Sequence, residues 1–201
     1  MNNKTITKRP ESMEWLSYCR PVFLPQDTTP DPISVFWKVA DLYVVPYLFF
    51  PAKRNVVKLR ITNDLLKFYE ITLQDLWDRC MVNMGPDVIM HEATLRFGEA
   101  SAPSHPVIQS FYIVTTRNDN NCGAAAILLR EVRSKLLEHW PSGCYILLSS
   151  LHEVLCVKND PAKLEELRNV VHEANQEDML PEDWLSNSVY KLLPNGKLVV
   201  A

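Results

Sequence analysis

Ser149, Ser150, His152 and Glu153 bring two hydroxyls, an imidazole and a carboxylate into one short stretch of this sequence. A serine activated by a histidine, itself oriented by an acid, is the arrangement that attacks acyl carbons. Three of them belong to the SSLH quartet and Glu153 follows it, all between two apolar runs, Tyr145–Leu148 and Val154–Val157. Two such runs joined by a short polar segment predict a β-hairpin. A rigid hairpin that displays a polar loop is a common way to place functional groups. A plain turn also favours serine, because its hydroxyl bonds the local backbone. Ser149, Ser150, His152 and Glu153 therefore form the candidate surface site, and no residue is assigned as catalytic.

Other chemistry finds less support. Three His–Glu pairs occur, His91–Glu92, His152–Glu153 and His172–Glu173, and none is followed by the second histidine of a helical HExxH zinc site. Adjacent residues diverge on a strand and sit about 100° apart on a helix, so no pair converges on one ion by itself. The chain holds five glycines and has no GxxxxGK[ST], GxGxxG or GxSxG, so no backbone phosphate cradle is expected. Its five cysteines, Cys19, Cys80, Cys122, Cys144 and Cys156, are odd in number, widely spaced and free of CxxC. That pattern suits reduced, buried thiols and neither a disulfide framework nor a zinc site. No metal or cofactor is expected. The aromatic group Phe36, Trp37, Tyr43, Tyr47, Phe49 and Phe50 reads as core ahead of ligand box.

The elements that must carry these residues follow from pattern. Residues 1–33 are punctuated by Pro10, Pro21, Pro25, Pro30 and Pro32 and read as irregular, with a short helix from Ser12 to Cys19. A helix or strand over Val35–Ala40 and a strand over Leu42–Phe50 come next, with Pro46 expected at an edge or bulge. Asn55–Thr62 alternates Val57, Leu59 and Ile61 against Lys58, Arg60 and Thr62, a strand with one wet face. Asn63 is the expected cap of a short helix. Thr72 opens another with Asp75 three residues on, a variant of the capping box. Its apolar stripe is Leu73, Leu76, Trp77, Cys80 and Met84, and Gly85–Pro86 stops it.

SAPSHP at 101–106 reads as a linker. Beyond it, Ser110–Thr116 and Ala124–Leu129 are expected to pair as a hairpin, followed by a helix over Glu131–His139. Cys144–Leu148 and Glu153–Lys158 form the hairpin that carries the candidate site. Asp160 and Pro161 open a helix with the stripe Leu164, Leu167, Val171 and Ala174. Ser188–Leu193 and Lys197–Val200 flank PNG as a last hairpin. The fold class is thus α+β: a mostly antiparallel sheet built from hairpins, with helices packed on one face. Residues 34–100 and 107–201 are read as two subdomains or one continuous domain.

Composition bounds the function classes. The 201 residues are 47% hydrophobic and 22% charged, in the range of globular proteins. The longest apolar run, Leu42–Pro51, is too short to cross a bilayer and is interrupted by Pro46. The N-terminus lacks the apolar region of a secretory signal, so a cytoplasmic location is expected. Net charge is −3, and from Gln109 onward nine Lys/Arg face twelve Asp/Glu. No basic stripe is present, which disfavours nucleic acid as a partner.

Several stretches resemble one known family. Ile113–Thr116, Gly123–Leu128, Tyr145–Val154 and Asn175 through Tyr190 are similar, in order, to its "vLTN", "GAA-I-Y", "YILPSSIHEV" and "E-N-T-V-PEE-LSD-VY" motifs. Val57–Met84 is similar to a further family segment. The family is the uncharacterised bacterial domain-of-unknown-function family 5688, and the resemblance covers roughly residues 55–195. Leu148 stands where the family usually has proline, and the family's longer N-terminal portion is either missing or replaced by residues 1–50. The resemblance implies a bacterial origin and supplies no mechanism. The expected function is a non-enzymatic cytoplasmic interaction or accessory protein of a bacterium or mobile element, with a protein partner. The alternative is a hydrolase-like enzyme centred on the Ser149–Glu153 turn. The sequence sets no oligomeric state.

Overall fold

The computed structural model describes residues 14–51, 56–93, 110–117, 122–177 and 180–201. The linker at 101–106 and His105 lie outside the described residues. Strands and helices arrange as an α+β fold in which all the described strand pairs are antiparallel.

A first sheet is centred on β3 (Leu42–Pro51). On one side it pairs with β1 (Cys19–Phe23); on the other it pairs in succession with β2 (Trp37–Val39) and β4 (Val56–Arg60). β1 lies in the segment read as irregular, preceded by a 3-10 helix at Glu14–Tyr18. Two prolines inside paired strands have a local explanation. Pro21 and Pro46 face each other across β1 and β3. The Pro46 carbonyl accepts from Ile61 N–H on the opposite side, so Pro21 and Pro46 form a pair that exchanges no hydrogen bond. The missing N–H of Pro21 then points off the sheet edge. That of Pro46 points into the gap between β2 and β4, where the Val35 N–H bonds the Ile61 carbonyl instead. Pro46 is therefore central in the sheet and not at its edge.

β4 leads into α1 (Asn63–Tyr69), capped by the Thr62 hydroxyl. Asn63, the expected cap, turns its side-chain amide to the carbonyls of Pro32, Ile33 and Ser34. α2 (Leu73–Met84) begins on the predicted capping box of Thr72 and Asp75. Its buried line is Leu76, Cys80 and Met84. Leu73, the first residue of the helix, is exposed, and Trp77 is half-buried with its ring edge-on to Trp37 at 4.7 Å.

The second sheet has the order β10-β9-β7-β8-β6-β5, from β5 (Val88–Ala93), β6 (Phe111–Thr116), β7 (Cys144–Leu147), β8 (Glu153–Lys158), β9 (Val189–Leu192) and β10 (Leu198–Val200). β6 pairs with β5 and β8, not with residues 124–129. Residues 124–128 belong instead to a 3-10 helix, Gly123–Leu128, in which every residue is buried. Six apolar residues in a row carry no period when all sides are covered, so pattern alone does not separate strand from helix.

Helices cover both faces of this sheet, which corrects the expected single-faced packing. Alternate residues Cys144, Ile146, Val154, Cys156, Tyr190 and Leu192 face a core shared with α3 (Arg130–His139), the 3-10 helix and Phe23, Leu42 and Val44 of the first sheet. Tyr145, Leu147, Val157 and Val189 face the other way, against Leu167 and Val171 of α4 (Leu164–Glu177). All four residues of β7 are buried, and a strand buried on both sides requires cover on both sides.

Candidate functional site

The Ser149–His152 turn is not a free loop tip. Backbone bonds tie it to two other segments. The Ser149 carbonyl accepts from Leu185 N–H at 2.8 Å, Leu151 N–H donates to the Asp183 carbonyl at 2.9 Å, and Ala124 N–H donates to the Leu151 carbonyl at 3.0 Å. The Thr115 hydroxyl donates to the His152 carbonyl at 2.7 Å. Ser150 and Leu151 are buried as a result. Gly123 packs against the same carbonyl so closely that a Cβ there would meet the His152 oxygen at 1.6 Å.

The side chains divide differently from the order expected. His152 Nε2 lies 2.7 Å from Asp183 Oδ1, with 29% and 23% of the two side chains exposed. Asp183 is thus the carboxylate at this imidazole. Glu153 opens β8, is exposed, and stands opposite Thr115. The Ser150 hydroxyl accepts the backbone N–H of His152 at 3.0 Å, a local turn bond of the kind serine favours. Among the described residues neither Ser149 nor Ser150 is hydrogen-bonded through its hydroxyl to the imidazole. A carboxylate-paired imidazole can exchange a proton, and it also pins two segments together; among the described residues neither serine of the turn stands as the nucleophile of an acyl-transfer set.

The other described histidines are dispersed. His91 is exposed on β5, two strands away from β8. His139 is exposed and 3.3 Å from the Tyr112 hydroxyl, and His172 is exposed and 2.9 Å from Gln176. An open groove of about 490 Å³ lies between β5 and the start of α3, lined by Val88, Met90, Arg117, Leu129 and Lys135 among others, and it does not include the turn. Among the described residues no cluster of His, Cys, Asp and Glu has the arrangement of a metal site. All five cysteines are buried and unbridged. Burial pushes the Cys122 thiol up to about 11 and the Cys144 thiol up to about 12. Cys80 is raised further, first by its hydrogen bond with Cys19 and then by burial.

Two features carried no local signal in the sequence. The first is a polar network between the sheets. The Gln26 amide donates to Asp41 at 2.7 Å and to Ser188 at 2.8 Å and accepts from Ser186, while the Tyr190 hydroxyl donates to Asp41 at 2.8 Å. Burial raises the Tyr190 phenol well above its ordinary value, so it stays neutral and keeps its donor.

The second is the outer surface of β4. Val57 and Leu59 are 46% and 49% exposed, on the side of the strand expected to be covered. They stand opposite Phe50 and Leu48 of β3, and Phe50 in turn contacts Tyr18, ring centroids 4.9 Å apart. On the reverse face Lys58 lies over the Phe49 ring and Arg60 over the Tyr47 ring, at 5.6 and 5.7 Å.

A family model covers residues 34–192 of this chain, and its description is a family of unknown function, DUF5688. The chain belongs to that family. The match runs from before β2 to the end of β9 and leaves out β1 and β10, one strand of each sheet. Two of the stretches that resemble DUF5688 motifs, Tyr145–Val154 and Asn175–Tyr190, are the ones joined here by the His152–Asp183 pair and the backbone bonds around it. No curated protein and no solved structure matches the chain. No described helix is long and apolar enough to cross a membrane.

Proposed function

We propose that this DUF5688 member is a non-enzymatic cytoplasmic interaction or accessory protein of a bacterium or mobile element, with a protein as partner. The observation that carries this reading is the apolar surface of Tyr18, Phe50, Val57 and Leu59. Val57 and Leu59 are exposed on the edge strand β4, beside the half-buried Phe50 of β3 and the partly exposed Tyr18, and an apolar face of this kind is a feature of interaction surfaces. The net charge of −3 fits a protein partner better than a nucleic acid.

The hydrolase alternative draws support from the His152–Asp183 pair, while among the described residues the turn's own serines do not bond the imidazole. The two readings separate in one experiment. Tagged protein is cross-linked in the native cell and its partners are recovered for the parent chain, Leu59→Asp and His152→Ala, each first shown to be folded. Loss of one reproducible protein partner in Leu59→Asp alone is the expected result. Retention in Leu59→Asp with loss in His152→Ala would move the function to the turn and overturn the reading.

A further inference from the structure

The β4 edge combines three properties that an added strand requires. The first is open backbone. Among the described residues β4 pairs with β3 alone. The Ile61 N–H bonds the Pro46 carbonyl directly opposite, which sets the phase of the ladder. Bonded and non-bonded pairs alternate, so Leu59 and Val57 exchange hydrogen bonds with Leu48 and Phe50. The backbone N–H and C=O groups of Lys58 and Arg60 therefore point away from the sheet, toward whatever lies alongside.

The second property is a division of side chains by face. Val57 and Leu59 project to one face and Lys58 and Arg60 to the other. The third is charge held in place. The two cations rest over Phe49 and Tyr47, and Arg60 Nε also donates to the Tyr47 hydroxyl at 3.2 Å. They lie on the sheet surface and not across its edge. Charged residues on an edge strand often serve only to discourage pairing. Here the neighbouring face is apolar and open, which a purely defensive edge would not keep.

We propose that β4 accepts an extended segment of the protein partner as a fifth strand, and that the segment alternates acidic with apolar side chains. Residues opposite Lys58 and Arg60 are Glu or Asp, within cross-strand reach of the two cations. Residues opposite Val57 and Leu59 are aliphatic or aromatic and extend the surface begun by Phe50 and Tyr18. Backbone bonds to Lys58 and Arg60 supply affinity, and the alternation supplies the choice of partner. The β5 edge of the second sheet presents His91 and Glu92 as its exposed side chains, and among the described residues no cation is held over a ring of that strand. The inference rests on the interaction reading above and adds the chemistry of the partner.

The test uses the full chain and two soluble peptides, one alternating Glu with Val and one alternating Lys with Val. Binding is measured by calorimetry, and its location by amide hydrogen exchange. The Glu/Val peptide is expected to bind and to slow exchange at Lys58 and Arg60. Lys58→Glu/Arg60→Glu is expected to weaken that peptide at least tenfold and to create affinity for the Lys/Val peptide. Raising the salt concentration is expected to weaken both matched pairs. Failure of the Glu/Val peptide to bind, or binding that survives charge reversal, would overturn the proposal. So would protection confined to β5, or protection that grows with protein concentration in the absence of peptide, the mark of a second copy on this edge. If the peptide fails while Leu59→Asp still abolishes partner capture, the acidic-strand chemistry is wrong and the interaction reading stands. If capture is indifferent to Leu59→Asp, that reading itself fails.

Discussion

Gly123 and His152 approach each other more closely than any side chain would allow: a Cβ on residue 123 would lie 1.6 Å from the His152 carbonyl oxygen and 2.7 Å from its carbon. The obstacle is backbone, held by the Thr115 hydroxyl, so it does not move aside cheaply. Gly123→Ala is expected to cost about 3 kcal/mol or more, at the upper end of overpacking costs. Chemical denaturation reads this as a lowered midpoint with an unchanged slope. A loss below about 0.5 kcal/mol would mean that the turn and the 3-10 helix are not packed as described.

His152 and Asp183 are 2.7 Å apart and join the turn to residues 180–185. His152→Ala is expected to destabilise by about 1–2 kcal/mol, the scale of a partly buried hydrogen bond to a charged group. Asp183→Asn, which keeps an acceptor in place, is expected to cost less. Equal losses in both variants would show that the carboxylate's charge, and not the hydrogen bond alone, holds the segments.

The thiols make a pH prediction whose sign is fixed. Cys122 and Cys144 ionise at about 11 and about 12 when folded, against 9.0 for an exposed thiol. The unfolded chain therefore releases these protons first as pH rises. Stability is unaffected by them below pH 9 and falls between 9 and the folded values, by up to about 1.4 kcal/mol per pH unit for each thiol. Cys144→Ala should shrink the alkaline slope although it lowers stability at pH 7. Folded protein at pH 7 should react negligibly with a thiol reagent, and denatured, non-reduced protein should react with close to five equivalents. A denatured count near three would reveal a disulfide.

Trp77 gains its partner from a distant strand: its ring meets Trp37 edge-on at 4.7 Å. Because Trp77 is half-buried, Trp77→Ala is expected to cost about 2 kcal/mol, below the 3–5 typical of a fully buried tryptophan. The double variant with Trp37→Ala should fall short of additivity by about 0.5–1.5 kcal/mol, the range measured for aromatic pairs. Strict additivity would mean that the rings do not interact.

What could be read in the sequence was local. The capping box of Thr72 and Asp75 appears as expected because both bonds close within three residues. Asp160 caps Ala162 N–H for the same reason, and β8 spans Glu153–Lys158 as its alternation implies. Other features depend on what lies across the molecule. The alternation in β4 distinguishes two faces correctly, but no residue of the strand says which neighbours will cover them, and Val57 and Leu59 stay in water. The 3-10 helix at Gly123–Leu128 is enclosed on every side, which erases the period that would identify it. In the candidate site, the turn was visible and its acid was not: Asp183 lies 31 residues from His152, and no spacing rule connects them. The nearer carboxylate, Glu153, is carried away by the strand that begins there.

The polar strut between the sheets has a consequence for how the chain is made. The Gln26 amide and the Ser188 hydroxyl it bonds are separated by 162 positions. At synthesis rates of about 5–20 residues per second, the first partner waits roughly 8–30 seconds for the second to be translated. During that interval β1 and β3 exist without the strands that share a core with Phe23, Leu42 and Val44. The nascent chain therefore presents an unfinished apolar surface from the synthesis of β3 to that of β9, and a holding chaperone has its opportunity in that interval.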